Sequence, residues 1–257
     1  MTVREAMSDA TVPLIAVAHG SRDPRSAATM SAVVAQLRAT RPDLDARLCF
    51  LDLNAPSVDR SIDAVAADGH TGAVVVPLLL GSAFHARVDL PALVAAAHSR
   101  HPQLRLTQAD VLGADPRLVS ALRERVLDTG LTEDDAELGV VVAAVGSSSA
   151  AANRRTDALA RDLVTGTRWA AETGFATSSD HRSVAAAAHR LRNKGARHIV
   201  VAPWFLAHGL LTDRVESALR GTPMTEPIGS HSKLIEVVVD RYERAAARLN
   251  GQFSLSA

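Results

Sequence analysis

The chain has 257 residues, a length that suits two domains of ordinary size. Lys+Arg and Asp+Glu both number 28, so no global charge argues for nucleic acid or an anionic membrane as a partner. Aromatic residues make up 3%, which disfavours a base-stacking surface. The lone Cys49 sits in the apolar run Leu48-Cys-Phe-Leu51, as a buried thiol of a reducing compartment would, not a disulfide partner or thiolate ligand. Met1 to Ala10 is polar and mixed in charge, and the apolar stretch behind it is too short to span a bilayer. The expectation is a cytoplasmic protein.

Segments of strand length alternate with segments of helix length. Pro13–Ala18 is a continuous apolar run, as in a strand buried on both faces of a parallel sheet. Ser26–Thr40 carries apolar residues at helical spacing and stops near Arg41-Pro42. Arg47–Leu53 predicts a strand, and Pro56–Asp68 a helix with proline in its first turn. Ala73–Leu80 predicts the strongest strand, followed by a helix over Asp89–Arg100, a short strand over Leu104–Gln108 and a helix over Pro116–Asp128. Thr132–Glu137 is charged and turn-like, and is the natural linker.

The order then repeats. Strands are predicted over Gly139–Val145, Arg168–Thr173 and His198–Phe205, and helices over Ala150–Val164, Ser183–Lys194, Thr212–Arg220 and Leu234–Arg248. The stretch holding Gly221, Pro223, Pro227 and Gly229 reads as a loop, and the tail from Gly251 as frayed. Alternating strands and helices predict an α/β fold: two similar lobes, 11–131 and 138–250, each a small parallel sheet with helices on both faces and its own core.

The two halves superimpose at an offset of 126 residues, which sets Gly20 on Gly146, Gly69 on Gly195 and Pro77 on Pro203. The same offset sets His19 on Val145, His85 on Leu211 and Ser82 on His208. The scaffold residues recur and the imidazoles do not, so the chemistry is expected in the first half. In open parallel sheets ligands bind beyond the carboxyl ends of the strands. His19 follows the first strand directly, and His85 lies just past the strand ending near Leu80. Neutral imidazole binds divalent first-row metals and also accepts a proton near pH 7, so the pair suits either task. Taken singly, each histidine could equally be a hydrogen-bonded structural residue or turn cap.

Other polar residues have two readings each. Arg22 and Arg87 could grip a carboxylate or form loop salt bridges. Asp52, at the end of the second strand, could face a metal or cap the strand end. His208, after Trp204-Phe-Leu-Ala, is a candidate cleft residue. Asp89 before Leu90-Pro91 reads as a helix N-cap, and Ser147-Ser-Ser149 as a cap left over from duplication or a small anion nest. The remaining histidines read as surface or capping residues. Nucleotide-binding glycine motifs and a G-x-S-x-G elbow are missing from the sequence.

The elements His19-Gly-Ser-Arg-Asp-Pro24, Pro56-Ser57, Val74-Val-Val-Pro-Leu-Leu-Leu80 with His85, and Asp89-Leu-Pro91 together resemble the ATP-independent sirohydrochlorin chelatases, in their long tandem-duplicated form. Pro203-Trp-Phe-Leu-Ala-His-Gly-Leu-Leu-Thr-Asp213 looks like their second-half counterpart. The resemblance implies insertion of Fe2+ or Co2+, as substrate, into sirohydrochlorin for sirohaem or cobalamin synthesis, without a nucleotide. It implies that His19 and His85 bind the metal and assist deprotonation. Asp52 stands nearest to where the family often has a glutamate, which makes it a third candidate ligand. Ser21, Arg22, Arg87 and His208 are candidate anchors for the carboxylates of the macrocycle. A non-catalytic carrier of metal or tetrapyrrole is the alternative, and an anion-binding α/β protein a further one. A duplicated chain can form a two-lobed cleft without a partner, so a monomer is expected.

Overall fold

A computed structural model describes residues 12–81 and 88–255, with backbone alone for 252–255. The first half runs β1 (Leu14–Ala18), α1 (Pro24–Thr40), β2 (Ala46–Phe50), α2 (Val58–Ala67), β3 (Gly72–Pro77), α3 (Leu90–Arg100), β4 (Arg105–Gln108) and α4 (Pro116–Leu127). The second runs β5 (Leu138–Ala144), α5 (Ala150–Val164), β6 (Ala170–Phe175), α6 (Val184–Asn193), β7 (His198–Pro203), α7 (Leu210–Ala218) and α8 (Ser232–Leu255). All strand pairs are parallel, in the orders β2-β1-β3-β4 and β6-β5-β7. The fold is the expected α/β one, and the offset of 126 carries α2 onto α6 and β3 onto β7 without a slip.

The strands β1, β3 and β5 are apolar and buried throughout because both their faces are covered; the edge strands β2, β4 and β6 carry Arg47, Arg105 and Glu172. Side chains alternate across a strand, and the core follows that period of two. Leu14, Ala16, Val74 and Val76 point to one side of the first sheet; Ile15, Val17, Val75 and Ala73 point to the other, under α2 and α3. In the second sheet Val141, Ala143 and Val201 meet α6 and α7. The faces carrying Leu14 and Val140 share one cluster, filled by side chains of α1, α4, α5 and α8. Four helices therefore lie between two sheets.

Separate cores for the two halves are not what the chain builds. The halves exchange their last helices: α8 packs on β3 and β4 of the first sheet, and α4 packs on β7 and α5 of the second. Tyr242 on α8 donates its hydroxyl to the carbonyl of Val12 at 2.7 Å, and Arg241 reaches the carbonyls of Val111 and Leu112. Burial pushes the Tyr242 hydroxyl up to about 12.

Other expectations are corrected in detail. Pro56 precedes α2 instead of opening it; Ser57 is the cap and accepts the Arg60 N–H at 3.4 Å. Asp89 has helical backbone angles and makes no side-chain capping bond. The backbone of α8 continues past Gly251 to Leu255. The fourth strand of the second half shrinks to one bridge, Val201 to Met224. Twelve residues separate Pro77 from Leu90, but six separate Pro203 from Leu210. The repeat register therefore fails beyond β3 and β7. Leu211 lies inside α7, and α3 and α7 do not superimpose at the offset of 126; Ser82 and His85, which that offset sets on His208 and Leu211, lie outside the described residues.

Candidate active site

The turn after β1 is held by its neighbour β2. The N–H of Leu51 donates to the carbonyl of Ala18, and the N–H of Asp52 donates to the carbonyl of His19 at 3.1 Å. Gly20 follows with φ +95, and a Cβ there would stand 1.8 Å from the Asp52 carbonyl oxygen. Only glycine allows both the left-handed angle and the close approach. The Ser21 N–H then donates to Asn54 Oδ1 at 2.7 Å, and Ser21 Oγ accepts the Asp23 N–H at 3.0 Å. Asp23 caps α1 by accepting the Arg25 N–H. This chain of bonds leaves His19 exposed at the carboxyl edge of the sheet.

The second half repeats the turn without the imidazole. The Thr177 N–H donates to the carbonyl of Val145, Gly146 has φ +88, and the Ser147 N–H donates to an asparagine, here Asn153 Oδ1 at 2.8 Å. Ser149 caps α5 by accepting the Ala152 N–H, as the duplication-derived cap reading requires.

Asp52 is exposed, and its Oδ1 accepts the Leu53 N–H at 2.8 Å, so the capping reading holds for one of its oxygens. Arg22 is exposed and makes no ion pair among the described residues; Asp23 pairs with Arg25 instead, at 2.6 Å. The Arg25 guanidinium holds the Asp23 carboxyl down to about 2. Arg25 also reaches Asp213 at the start of α7, at 2.6 Å. His208 Nε2 lies 2.9 Å from Glu226 Oε2. The loops after β1 and β7 thus meet, which brings His208 to the side of the first half that carries His19. His85 and Arg87 lie outside the described residues. Among those described, no three His, Cys, Asp or Glu side chains gather as a ready cation shell.

Sequence reasoning missed Asn54, whose amide fixes the Ser21 turn, and Leu53, which has φ +63. The signal for Asn54 was an asparagine beyond a strand end, a common turn residue; nothing in the sequence marks Leu53. The other histidines behave as surface and capping groups. His101 pairs with Asp63 at 2.6 Å and His231 with Glu124 at 3.1 Å, while His231 Nδ1 accepts the Lys233 N–H at the start of α8. Burial pushes the Cys49 thiol up to about 12, which suits the inert packing residue expected.

Two tandem parallel-sheet units with a histidine-bearing turn on the first edge define a protein of the chelatase-like α/β class. The CbiX family model matches residues 13–129 and again 139–245, and the chain belongs to that family. A sirohydrochlorin ferrochelatase of Priestia megaterium is 26% identical over 79% of this chain and 76% of its own. A sirohydrochlorin cobaltochelatase of the same organism is 26% identical over 88% of this chain and 78% of its own. The crystal structure of the sirohydrochlorin chelatase SirB from Bacillus subtilis subspecies spizizenii in complex with cobalt matches with a TM-score of 0.77 at 23% identity. That match covers 95% of this chain and 98% of the other, and it fixes the shared fold.

Proposed function

We infer that this chain is a sirohydrochlorin chelatase, which inserts a divalent metal ion into the macrocycle without a nucleotide. Family membership and relatives named as ferrochelatase and cobaltochelatase support the reaction. The observation that carries the site is the turn built twice: the same lock holds an exposed imidazole in one half and an aliphatic side chain in the other. Chemistry belongs to the half 11–131, and the half 138–250 closes over it.

Insertion replaces two pyrrole N–H bonds with bonds to the metal and releases two protons. In this reading His19 and His85 hold the incoming ion in an incomplete shell, leaving positions for the ring nitrogens. One imidazole accepts a departing proton and passes it to solvent, which its exposure permits. Asp52 can add one oxygen to the ion, because the other takes the Leu53 N–H. Arg22, exposed and without an ion pair among the described residues, anchors peripheral carboxylates of the ring together with Arg87, Ser21 and His208. Metal identity does not follow from imidazole ligands, which accept Fe2+ and Co2+ alike. No helix of the described residues is long and apolar enough to cross a membrane. We place the chain in the cytoplasm as a monomer, with its cleft formed internally.

The test is direct. Purified protein mixed with sirohydrochlorin and Co2+ or Fe2+, followed by absorbance, turns over many equivalents faster than the spontaneous reaction. Capture of one equivalent without turnover would instead mark a carrier, and a rate equal to the spontaneous one would end the assignment.

A further inference from the structure

Among the described residues, four large hydrophobic side chains are exposed: Leu53 at 52%, Val88 at 47%, Val145 at 43% and Leu210 at 70%. Single exposed aliphatics are ordinary when scattered. These four are not scattered. Leu53 follows β2, Val88 lies between β3 and α3, Val145 follows β5, and Leu210 opens α7 after β7. Each is in a connection leaving the carboxyl end of a strand, two on each sheet, where an open parallel sheet binds its ligand.

Two of them carry further marks. Leu53 has φ +63, a left-handed angle that a non-glycine residue adopts only at a cost. It is fixed there by its own N–H to Asp52 Oδ1, by the Asn54 N–H to the Asp52 carbonyl at 2.7 Å, and by Ser21 holding Asn54. Strain at an exposed aliphatic that fills no core is a functional signal. Val145 stands where the first half has His19, at the same point of the same turn. Gly209, next to Leu210, approaches Asp23 closely enough that a Cβ there would stand 4.0 Å away, and Asp213 binds Arg25. Leu210 therefore borders the junction with the turn that carries His19.

We propose that Leu53 and Val88 on one sheet edge, and Val145 and Leu210 on the other, are the apolar contacts to the faces of the tetrapyrrole ring. This rests on the chelatase reading. A tetrapyrrole offers flat apolar faces inside a carboxylate rim, and aliphatic side chains pack on such faces without competing for the rim. On this view the second half is a binding wall: its imidazole position became an apolar contact for the ring, while the first half kept the metal-handling group.

Polarity swaps that preserve shape test it: Val145→Thr, Val88→Thr, Leu210→Asn and Leu53→Asn, the last because asparagine tolerates the left-handed angle. Each variant should raise the KM for sirohydrochlorin about tenfold with kcat nearly unchanged, the mark of lost uniform binding. Titration of the metal-free ring should show the same loss in affinity, while binding of Co2+ alone stays the same. Melting temperatures report that the exposed substitutions leave the fold intact. Wild-type turnover with an unchanged KM in all four variants overturns this proposal and spares the chelatase reading. A fall in kcat at constant KM also overturns it. Wild-type protein without turnover overturns the chelatase reading itself, and titration of the metal-free ring still decides whether these four residues touch it.

Discussion

Arg25 and Asp213 lie 188 positions apart in the chain, and their side chains meet at 2.6 Å. The pair joins the first turn of α1, just behind the His19 turn, to the first turn of α7. Both side chains are about half exposed, at 48% and 46%, so the pair contributes little to stability. It links the start of α1 to the start of α7, so its expected role is in the spacing of the turn that carries His19 and the loop after β7. Asp213→Asn should leave the melting temperature almost unchanged and raise the KM for sirohydrochlorin several-fold. Raising the salt concentration should weaken wild-type binding in the same direction. A variant with normal KM would show that the spacing is held by other contacts.

The two copies of the turn differ in how tightly glycine is required. An alanine Cβ at position 20 would stand 1.8 Å from a backbone oxygen; at position 146 it would stand 2.7 Å from the Thr177 hydroxyl, a side-chain atom that can yield by giving up its hydrogen bond to the Val145 carbonyl. Both substitutions incur the left-handed penalty of roughly 1–2 kcal/mol. Gly20→Ala should therefore destabilise by clearly more than Gly146→Ala in denaturant melts, and it should abolish activity because the backbone bearing His19 has to move. Asn54→Ala should act in the same direction by about 1–3 kcal/mol, since it leaves the Ser21 N–H without its acceptor.

The central strands and the repeat were legible because the runs of β1, β3 and β5 have no polar interruptions, whereas β6, with Glu172 inside it, lies two residues beyond its expected span; α5 starts and stops where its pattern does, at Ala150 and Val164. The helix exchange was not legible. The amphipathic patterns of α4 and α8 specify that each buries a face, and not which sheet it covers. The register slip past β3 was equally hidden, because loop length leaves no periodic trace. Of the candidate site, His19, Asp52 and Ser21 were placed correctly at a strand edge by the rule for open sheets. Asn54 and Leu53 escaped because their roles arise from a backbone turn that forms only when β2 docks on β1.

A half-buried charge cluster ties α4 to α8 and makes stability depend on acid. Asp115 caps α4 and accepts from Arg117 at 2.9 Å and Arg241 at 3.1 Å, while Asp240 pairs with the same two arginines. The Arg117 hydrogen bond holds the Asp115 carboxyl at about 2, below its ordinary value of 3.8. A carboxylate with a lowered folded value stabilises fully above its unfolded value and loses that contribution as pH falls through the folded one. Melting temperature should therefore drop between about pH 4 and pH 2. Asp115→Asn should be less stable than wild type at pH 7 and flatter across that acid window. Parallel curves for the two proteins would assign the acid sensitivity elsewhere, with Asp23 the next group to test.

The two histidines make the sharpest test, because the metal-handling step of this reading rests on them. His19 is exposed and lies outside the core, so His19→Ala should shift stability by no more than about 0.5 kcal/mol. A positioned acid–base group contributes about 10²–10⁴-fold, and metal holding adds to that. His19→Ala and His85→Ala should each lower the rate of Co2+ insertion by at least about a hundredfold. If they act on one ion, the double variant should fall little further than either single one, because groups that work as a unit are non-additive. Binding of the metal-free ring should survive in all three proteins, since its contacts are elsewhere. Multiplicative losses in the double variant would mean that the imidazoles act at separate steps, and retained activity in His19→Ala would remove it from the site.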